Sequence, residues 1–131
     1  MKKIALTWML LFMFILFLSG CAFDLAHVRY KPAEYVPSPD VRKSFVIDKS
    51  MEITGGTCYD RTLRKDTRWN LVGRIHDGEI YKSSEQILTL ECSNVHEAYL
   101  VVANDSIVGF YLPVEKGFVG LSKPMKMNIR N

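Results

Sequence analysis

The feature that most constrains this chain is an uncharged apolar run near its beginning. Two lysines precede the run, which extends from Ile4 to Leu18, and Ser19-Gly20-Cys21 follows it. A basic start, an apolar stretch and then small residues are the layout of a secretory signal peptide. We therefore expect residues 1–20 to be removed. Residues 21–131 must then supply the folded part, and this length suits one domain and is too short for two.

The end of this run carries a specific motif. Leu18-Ser19-Gly20-Cys21 resembles the lipobox of bacterial lipoproteins, in which Leu, a small residue and Gly or Ala precede the cysteine. The resemblance implies that the Cys21 thiol receives a diacylglycerol, that cleavage falls before Cys21, and that the new amino terminus is acylated. Several acyl chains hold a protein stably on a bilayer. No cofactor beyond this covalent lipid is expected.

The implied location is the cell envelope. Ala22 rather than Asp follows the cysteine, and in lipoproteins of this kind that implies the outer membrane, facing the periplasm, where the organism has one. The alternative is an uncleaved membrane helix, since about 20 apolar residues suffice to cross a bilayer. The small residues from Ser19 to Ala22 argue against it, because Trp and Tyr are more common at a membrane face.

Two cysteines remain after lipidation, Cys58 and Cys92. In an exported domain oxidation is the default, so we expect a disulfide between them. Closing a loop of about 34 residues stabilises by roughly 3.5 to 4 kcal/mol in the chain-entropy model. A metal site that also uses His76 and His96 is the alternative, but the close ligand spacing typical of such sites is missing. We expect no metal.

The net charge excludes one class of partner. The chain has 17 Lys and Arg against 14 Asp and Glu, and two of the lysines lie in the segment expected to be removed. A nearly neutral mature chain has no general attraction to nucleic acid.

Residues 21–43 are predicted to be the lipidated cysteine and an extended tether. Three prolines interrupt any helix or strand there: Pro32, Pro37 and Pro39. Fully extended, such a segment spans roughly 60 Å. We expect Tyr30 and Tyr35 to pack on the domain or to be disordered, with a docking role as the alternative. The domain is predicted to be residues 44–131.

Short stretches of alternating apolar and polar residues fill this domain. Such alternation predicts half-buried strands, and about six to seven short antiparallel strands indicate an all-β small barrel or sandwich. Asp77-Gly78 predicts a hairpin turn that pairs Ile75 with Ile80. A second hairpin is expected at Asn104-Asp105, with Val102 opposite Ile107, Val101 opposite Val108 and Tyr99 opposite Phe110. Both of its faces are apolar, which places it at the centre of the sheet.

Residues 67–113 resemble bacterial Src-homology-three-like barrels. The resemblance lies in Leu71-Val72-Gly73-Arg74-Ile75-His76-Asp77-Gly78, then Ala98-Tyr99-Leu100-Val101-Val102, then Ile107-Val108-Gly109-Phe110-Tyr111. It implies a small barrel and permits the cell wall as a partner. The chain lacks the Asn-x-Arg-x-Gly-Pro segment usual before the first hairpin, and Phe110 stands where Trp is typical, so the ligand groove is not carried over.

No stretch has the pattern of a phosphate loop, a serine-hydrolase elbow or a metalloprotease helix. The polar connection at residues 93–97 is the candidate binding loop, because functional residues concentrate in such loops. Its candidates are Ser93, Asn94, His96 and Glu97, and the aromatic candidates are Trp69 and Tyr99. We expect a non-enzymatic lipoprotein that binds an envelope protein complex or the cell wall. The alternative is a small hydrolase that uses His96 and Glu97.

Overall fold

The computed structural model describes residues 2–18, 28–38, 42–56 and 61–131. One helix precedes a series of strands. In chain order these elements are α1 Lys2–Leu18, β1 Lys31–Pro32, β2 Val36–Pro37, β3 Ser44–Ile47, β4 Met51–Ile53, β5 Arg61–Leu63, β6 Arg68–Ile75, β7 Gly78–Lys82, β8 Thr89–Glu91, β9 Val95–Glu97, β10 Tyr99–Ala103, β11 Ser106–Leu112, β12 Gly117–Lys126 and β13 Ile129–Arg130.

Helix α1 coincides with the apolar run of the expected signal peptide. Its large apolar side chains from Ile4 to Phe14 are exposed. Within the described residues, no helix has both the length and the apolar character needed to cross a membrane. Removal of residues 1–20 stays a prediction, and Cys21 lies outside the described residues.

The fold is mostly β, as predicted, but the sheet is not closed into a barrel, which was one of the two predicted architectures. Nine strands form one antiparallel sheet in the order β1-β12-β11-β10-β7-β6-β3-β13, with β2 added beside β6. The pairs β4–β5 and β8–β9 form two small ribbons. Among the described residues, β1 pairs only with β12 and β13 only with β3, so no ladder of the described strands joins the two edges. The prediction of six to seven strands was also too low.

The buried residues form two clusters. The larger contains Ile47, Leu63, Trp69, Leu100 and Ile107, among others. The smaller consists of Ile75, Ile80, Val101, Tyr111 and Phe118. The central hairpin β10–β11 contributes to both clusters, which confirms the prediction that it is covered on two faces.

The hairpin β10–β11 has the predicted turn. Asn104 and Asp105 have φ angles of 51° and 59°, as a type I′ turn requires at both central residues. Val102 pairs with Ile107 as predicted. Beyond that point the predicted pairs are wrong by one residue, because a bulge skips Val108 and its neighbours shift.

The hairpin β6–β7 does not have the predicted register. Ile75 pairs with Gly78 rather than with Ile80, so the two turn residues are His76 and Asp77. Neither has a positive φ, so the turn is not the type I′ turn that Asp-Gly predicted. A second irregularity between Leu71 and Gly73 shifts the rest of the ladder.

Residues 28–38, which we call the strap, cross the sheet instead of extending away from it. Lys31 pairs with Phe118 in β12, and Val36 pairs with Arg74 in β6. The Tyr35 hydroxyl donates to the Val72 carbonyl at 2.6 Å, and the Tyr35 ring stacks on Tyr111 with centroids 5.5 Å apart. Tyr35 therefore packs on the domain, as expected, and the strap differs from the expected free tether.

Candidate functional site

A cavity lies at one end of the sheet, and we call it the terminal cleft. It has a volume of about 520 Å³. The turns of both central hairpins reach it, as do the start of β3 and the last residues of the chain. Its lining includes Lys43, Phe45, Arg74, Glu79, Tyr81, Val102, Asn104, Asp105, Met127 and Ile129. A cleft of this size with a mixed lining is the usual form of a ligand site.

The apolar part of the cleft is rigid. The rings of Phe45 and Tyr81 contact each other with centroids 4.8 Å apart, and both residues are almost fully buried. Met127 is buried in the same cluster. Buried rings in contact hold fixed rotamers, so this wall has its shape before any ligand arrives.

The polar part of the cleft is a fixed hydrogen-bonded network. Lys43 Nζ donates to the Glu79 carboxylate at 2.7 Å, and the Tyr81 hydroxyl donates to Glu79 Oε2 at 2.8 Å. The hydrogen bond from Lys43 is the main reason that the pKa of Glu79 is lowered, and the bond from Tyr81 and the charges of Lys43 and Arg74 add to it. Burial, followed by the bond to Glu79, raises the pKa of Tyr81. Tyr81 therefore remains a hydrogen donor and Glu79 an anion near neutral pH.

Arg74 is the unpaired cation of the cleft. It lies opposite Glu79 in the β6–β7 ladder and opposite Val36 of the strap. Its side chain is exposed and forms no ion pair with any described residue. A guanidinium offers a planar fork of donors to a carboxylate or phosphate. The cleft can therefore bind a ligand that combines an anionic group with an apolar part.

Trp69 is a core residue. It is 1% exposed, and its indole Nε1 donates to Thr67 Oγ1 at 3.0 Å. With Glu97 and Tyr99 it borders a crevice of about 20 Å³, which is too small for any ligand larger than water. Trp69 is thus not accessible to a ligand.

Tyr99 lies on the outer face of the sheet and is partly exposed. Its ring is tilted against Tyr111, with centroids 6.5 Å apart, and Lys82 Nζ lies 5.2 Å from its centroid. It belongs to the surface that the strap covers rather than to the terminal cleft.

The candidate loop at residues 93–97 is partly a strand. Val95–Glu97 form β9 and pair with β8, and the backbone of Cys92 bonds to the Asn94 carbonyl at 3.1 Å. Ser93 lies in the connecting turn. His96 Nδ1 lies 2.5 Å from Glu115 Oε1, and both side chains are largely buried.

Glu115 is therefore the partner of His96, whereas Glu97 is exposed beside it. Sequence analysis missed Glu115 because it lies 19 positions further along the chain, and no local pattern joins the two residues. The residues of the terminal cleft were missed for the same reason. Only the ladder β6–β7 and the packing of the last residues bring them together.

The structure tests the predicted disulfide between Cys58 and Cys92 only at Cys92. Cys92 is disulfide-bonded, but Cys58 lies outside the described residues, so their pairing stays a prediction. Over the ranges that the structure describes, no group of three or more His, Cys, Asp or Glu side chains is placed to hold a metal ion.

Comparison of the chain with protein-family models, curated proteins and solved structures finds no match.

Proposed function

We propose that this protein is a lipid-anchored envelope lipoprotein whose domain binds another envelope component without catalysing a reaction. The anchor is Cys21, in the sequence Leu18-Ser19-Gly20-Cys21, and the location is the outer membrane, facing the periplasm, in an organism that has one. The ligand is a protein of an envelope complex or the cell wall.

The terminal cleft is the observation that carries the binding role. Its network of Lys43, Glu79 and Tyr81 is satisfied internally, so the network fixes the shape of the cleft and leaves Arg74 to meet a ligand. Preorganised sites bind more tightly because less side-chain freedom is lost on binding. Peptides of the cell wall and acidic protein segments both carry carboxylates that fit an arginine beside an apolar wall.

The first experiment is sedimentation of the purified lipoprotein with cell-wall sacculi at moderate salt. Lys126→Glu is the matched control for Arg74→Glu, because both residues are exposed cations and Lys126 is not among the cleft residues. Loss of one good charge-assisted contact costs about 1.5 to 3 kcal/mol. We therefore expect wall binding that Arg74→Glu weakens at least tenfold and Lys126→Glu leaves nearly unchanged.

If the protein stays in the supernatant, in-cell photo-crosslinking tests a protein ligand. A photoreactive residue in place of Ala103 lies at the lip of the cleft, and one in place of Gly56 is a control outside it. A crosslinked partner seen only from position 103 supports the cleft as the binding site. Absence of both wall binding and a crosslinked partner refutes the proposal.

The second candidate function is a small envelope hydrolase. The observation that favours it is the contact of His96 with Glu115, since a carboxylate orients a histidine base in many hydrolases. The candidate requires that His96→Ala and Glu115→Gln abolish turnover of wall or envelope substrates. Turnover that is unaffected by both substitutions removes it.

A further inference from the structure

The strap and the turn between β11 and β12 together form one exposed surface, which we call the lipid-facing patch. It comprises Arg29, Tyr30, Val114 and Lys116. Ala33 N donates to the Lys116 carbonyl at 3.0 Å, so the strap is bonded directly to the turn. The Tyr30 ring occupies the space that a side chain on Gly117 would need.

The patch has the composition of a membrane-contacting surface. Tyr30 is 46% exposed and Val114 is 77% exposed. Arg29 and Lys116 are exposed and form no ion pair with any described residue. Aromatic and basic side chains are the types enriched at the boundary between lipid and water.

The acidic side chains nearby do not cancel this charge. Glu115, in the same turn, is held by His96 and is largely buried. Asp77 is occupied by Lys31, with Lys31 Nζ 2.9 Å from Asp77 Oδ1. Glu34 is exposed on the strap, so the unpaired charge of the patch is two cations and one anion.

The position of the patch relative to the anchor supplies the second argument. Val28, where the described strap begins, is seven positions after Cys21. Seven residues span at most about 25 Å even when fully extended. The strap is itself bonded to the sheet, so the patch stays within this distance of the lipid headgroups whenever Cys21 is acylated.

We infer that the lipid-facing patch lies on the headgroups of an anionic bilayer and thereby orients the domain. The inference rests on the lipid anchor of the proposed function. Strand β11 connects the patch to the terminal cleft, since Asn104 and Asp105 precede it and Val114 follows it. At about 3.3 Å per residue, its seven residues separate the two by roughly 20 Å. Asn104 and Asp105 are therefore the part of the cleft that lies away from the patch, whereas Arg74 borders residues 31–36 of the strap.

The test places one fluorescent reporter in the patch and another beside the terminal cleft. The lipidated protein is reconstituted into vesicles of phosphatidylcholine and phosphatidylglycerol that contain brominated chains, which quench tryptophan nearby. Val114→Trp is the reporter in the patch, and Asn128→Trp, exposed beside the cleft residue Met127, is the control. We expect at least threefold stronger quenching at position 114. Equal quenching at both positions, or none at 114, overturns the inference.

A second measurement separates the patch from the anchor. The chain of residues 21–131 with Cys21→Ser carries neither the apolar run nor acyl chains. It is sedimented with the same vesicles at low salt, alone and with Lys116→Glu or Lys126→Glu. Since each basic residue near an anionic surface contributes measurably to attraction, we expect Lys116→Glu to reduce partitioning about tenfold and Lys126→Glu less than twofold. Equal reductions would mean that net charge alone drives the partitioning, and they overturn the inference. If protein from cell membranes carries no acyl chains on Cys21, the lipid anchor of the proposed function is refuted, and this result is separate from the behaviour of the patch.

Discussion

Gly73→Ala provides a sharp test of how the strap is held. Gly73 lies in β6 beneath the Tyr35 ring, and a methyl group there would come 2.6 Å from Tyr35 Cζ and 2.8 Å from its hydroxyl. Carbon atoms do not pack that closely, so the Tyr35 ring must move away from position 73. The φ of Gly73 is not positive, so alanine itself is not strained by the backbone conformation.

The magnitude follows from the contacts that Tyr35 would lose. The hydrogen bond from its hydroxyl to the Val72 carbonyl contributes about 1 kcal/mol, and the stacked contact with Tyr111 contributes about 0.5 to 1.5 kcal/mol. Replacing glycine by alanine recovers about 0.5 kcal/mol, because alanine leaves the unfolded chain less conformational freedom. The Tyr35 ring, which is 36% exposed in the native protein, loses part of its burial when it is displaced. We expect a net loss of about 2 kcal/mol in the free energy of unfolding.

Urea unfolding of the acyl-free protein measures this loss, together with a decrease of roughly 10 °C in melting temperature. Gly120→Ala is the matched control, because a methyl group there meets Phe118 at an ordinary 3.4 Å, and we expect it to be neutral or slightly stabilising. In a Tyr35→Ala background, Gly73→Ala should cost less than about 0.5 kcal/mol. A Gly73→Ala protein as stable as wild type, or a cost that persists without the tyrosine ring, refutes this account of the strap.

Three further predictions concern the core, pH and the disulfide. Thr67→Val leaves the buried Trp69 indole without its acceptor, so the free energy of unfolding should fall by about 1 to 3 kcal/mol in chemical denaturation; an unchanged midpoint contradicts this. The pKa of Glu79 is lowered in the folded state. The carboxylate therefore adds to the free energy of unfolding at pH values above the ordinary glutamate pKa, and this addition is lost as the pH falls through the lower pKa of the folded state. The difference in free energy of unfolding between wild type and Glu79→Gln should therefore be largest near neutral pH and should disappear in acid. It should be about 1 kcal/mol or less, because the carboxylate is 40% exposed. A difference that does not depend on pH contradicts this prediction. Cys92→Ser removes a disulfide and should lower the free energy of unfolding by about 2 to 4 kcal/mol under oxidising conditions only, and a non-reducing peptide map identifies the partner cysteine.

Sequence patterns located the strands more reliably than their registers. The turn at Asn104-Asp105 was predictable because both residue types tolerate a positive φ, and the pair Val102–Ile107 follows from it. The bulge at Val108 was not predictable, because it depends on how β12 packs against β11. A bulge shifts the register of all the pairs that follow it by one residue.

The strap could not be predicted from its own sequence. Its strands β1 and β2 have two residues each, too few to show any period, and prolines favoured a free tether. The information lies partly elsewhere in the chain, at Gly73 and Gly117, whose missing side chains leave room for Tyr35 and Tyr30. Glycines within strand patterns do indicate a close approach of another group, but they do not say which residue approaches.

The terminal cleft and the pair His96–Glu115 share another limit. Each is assembled from residues far apart in sequence, and none of the local motifs of catalysis or metal binding marks them. Lys43 and Glu79, for example, are 36 positions apart. Their contact requires β3 to lie beside β6 in the sheet, and this neighbour relation is a property of the topology.

The central claim is the lipid anchor, and the most direct measurement is the mass of the amino-terminal peptide of the protein extracted from bacterial membranes. The account predicts a chain that begins at Cys21 and carries the mass of a diacylglycerol and a further acyl chain. A membrane-bound chain that begins at Met1 with an unmodified Cys21 thiol would contradict it.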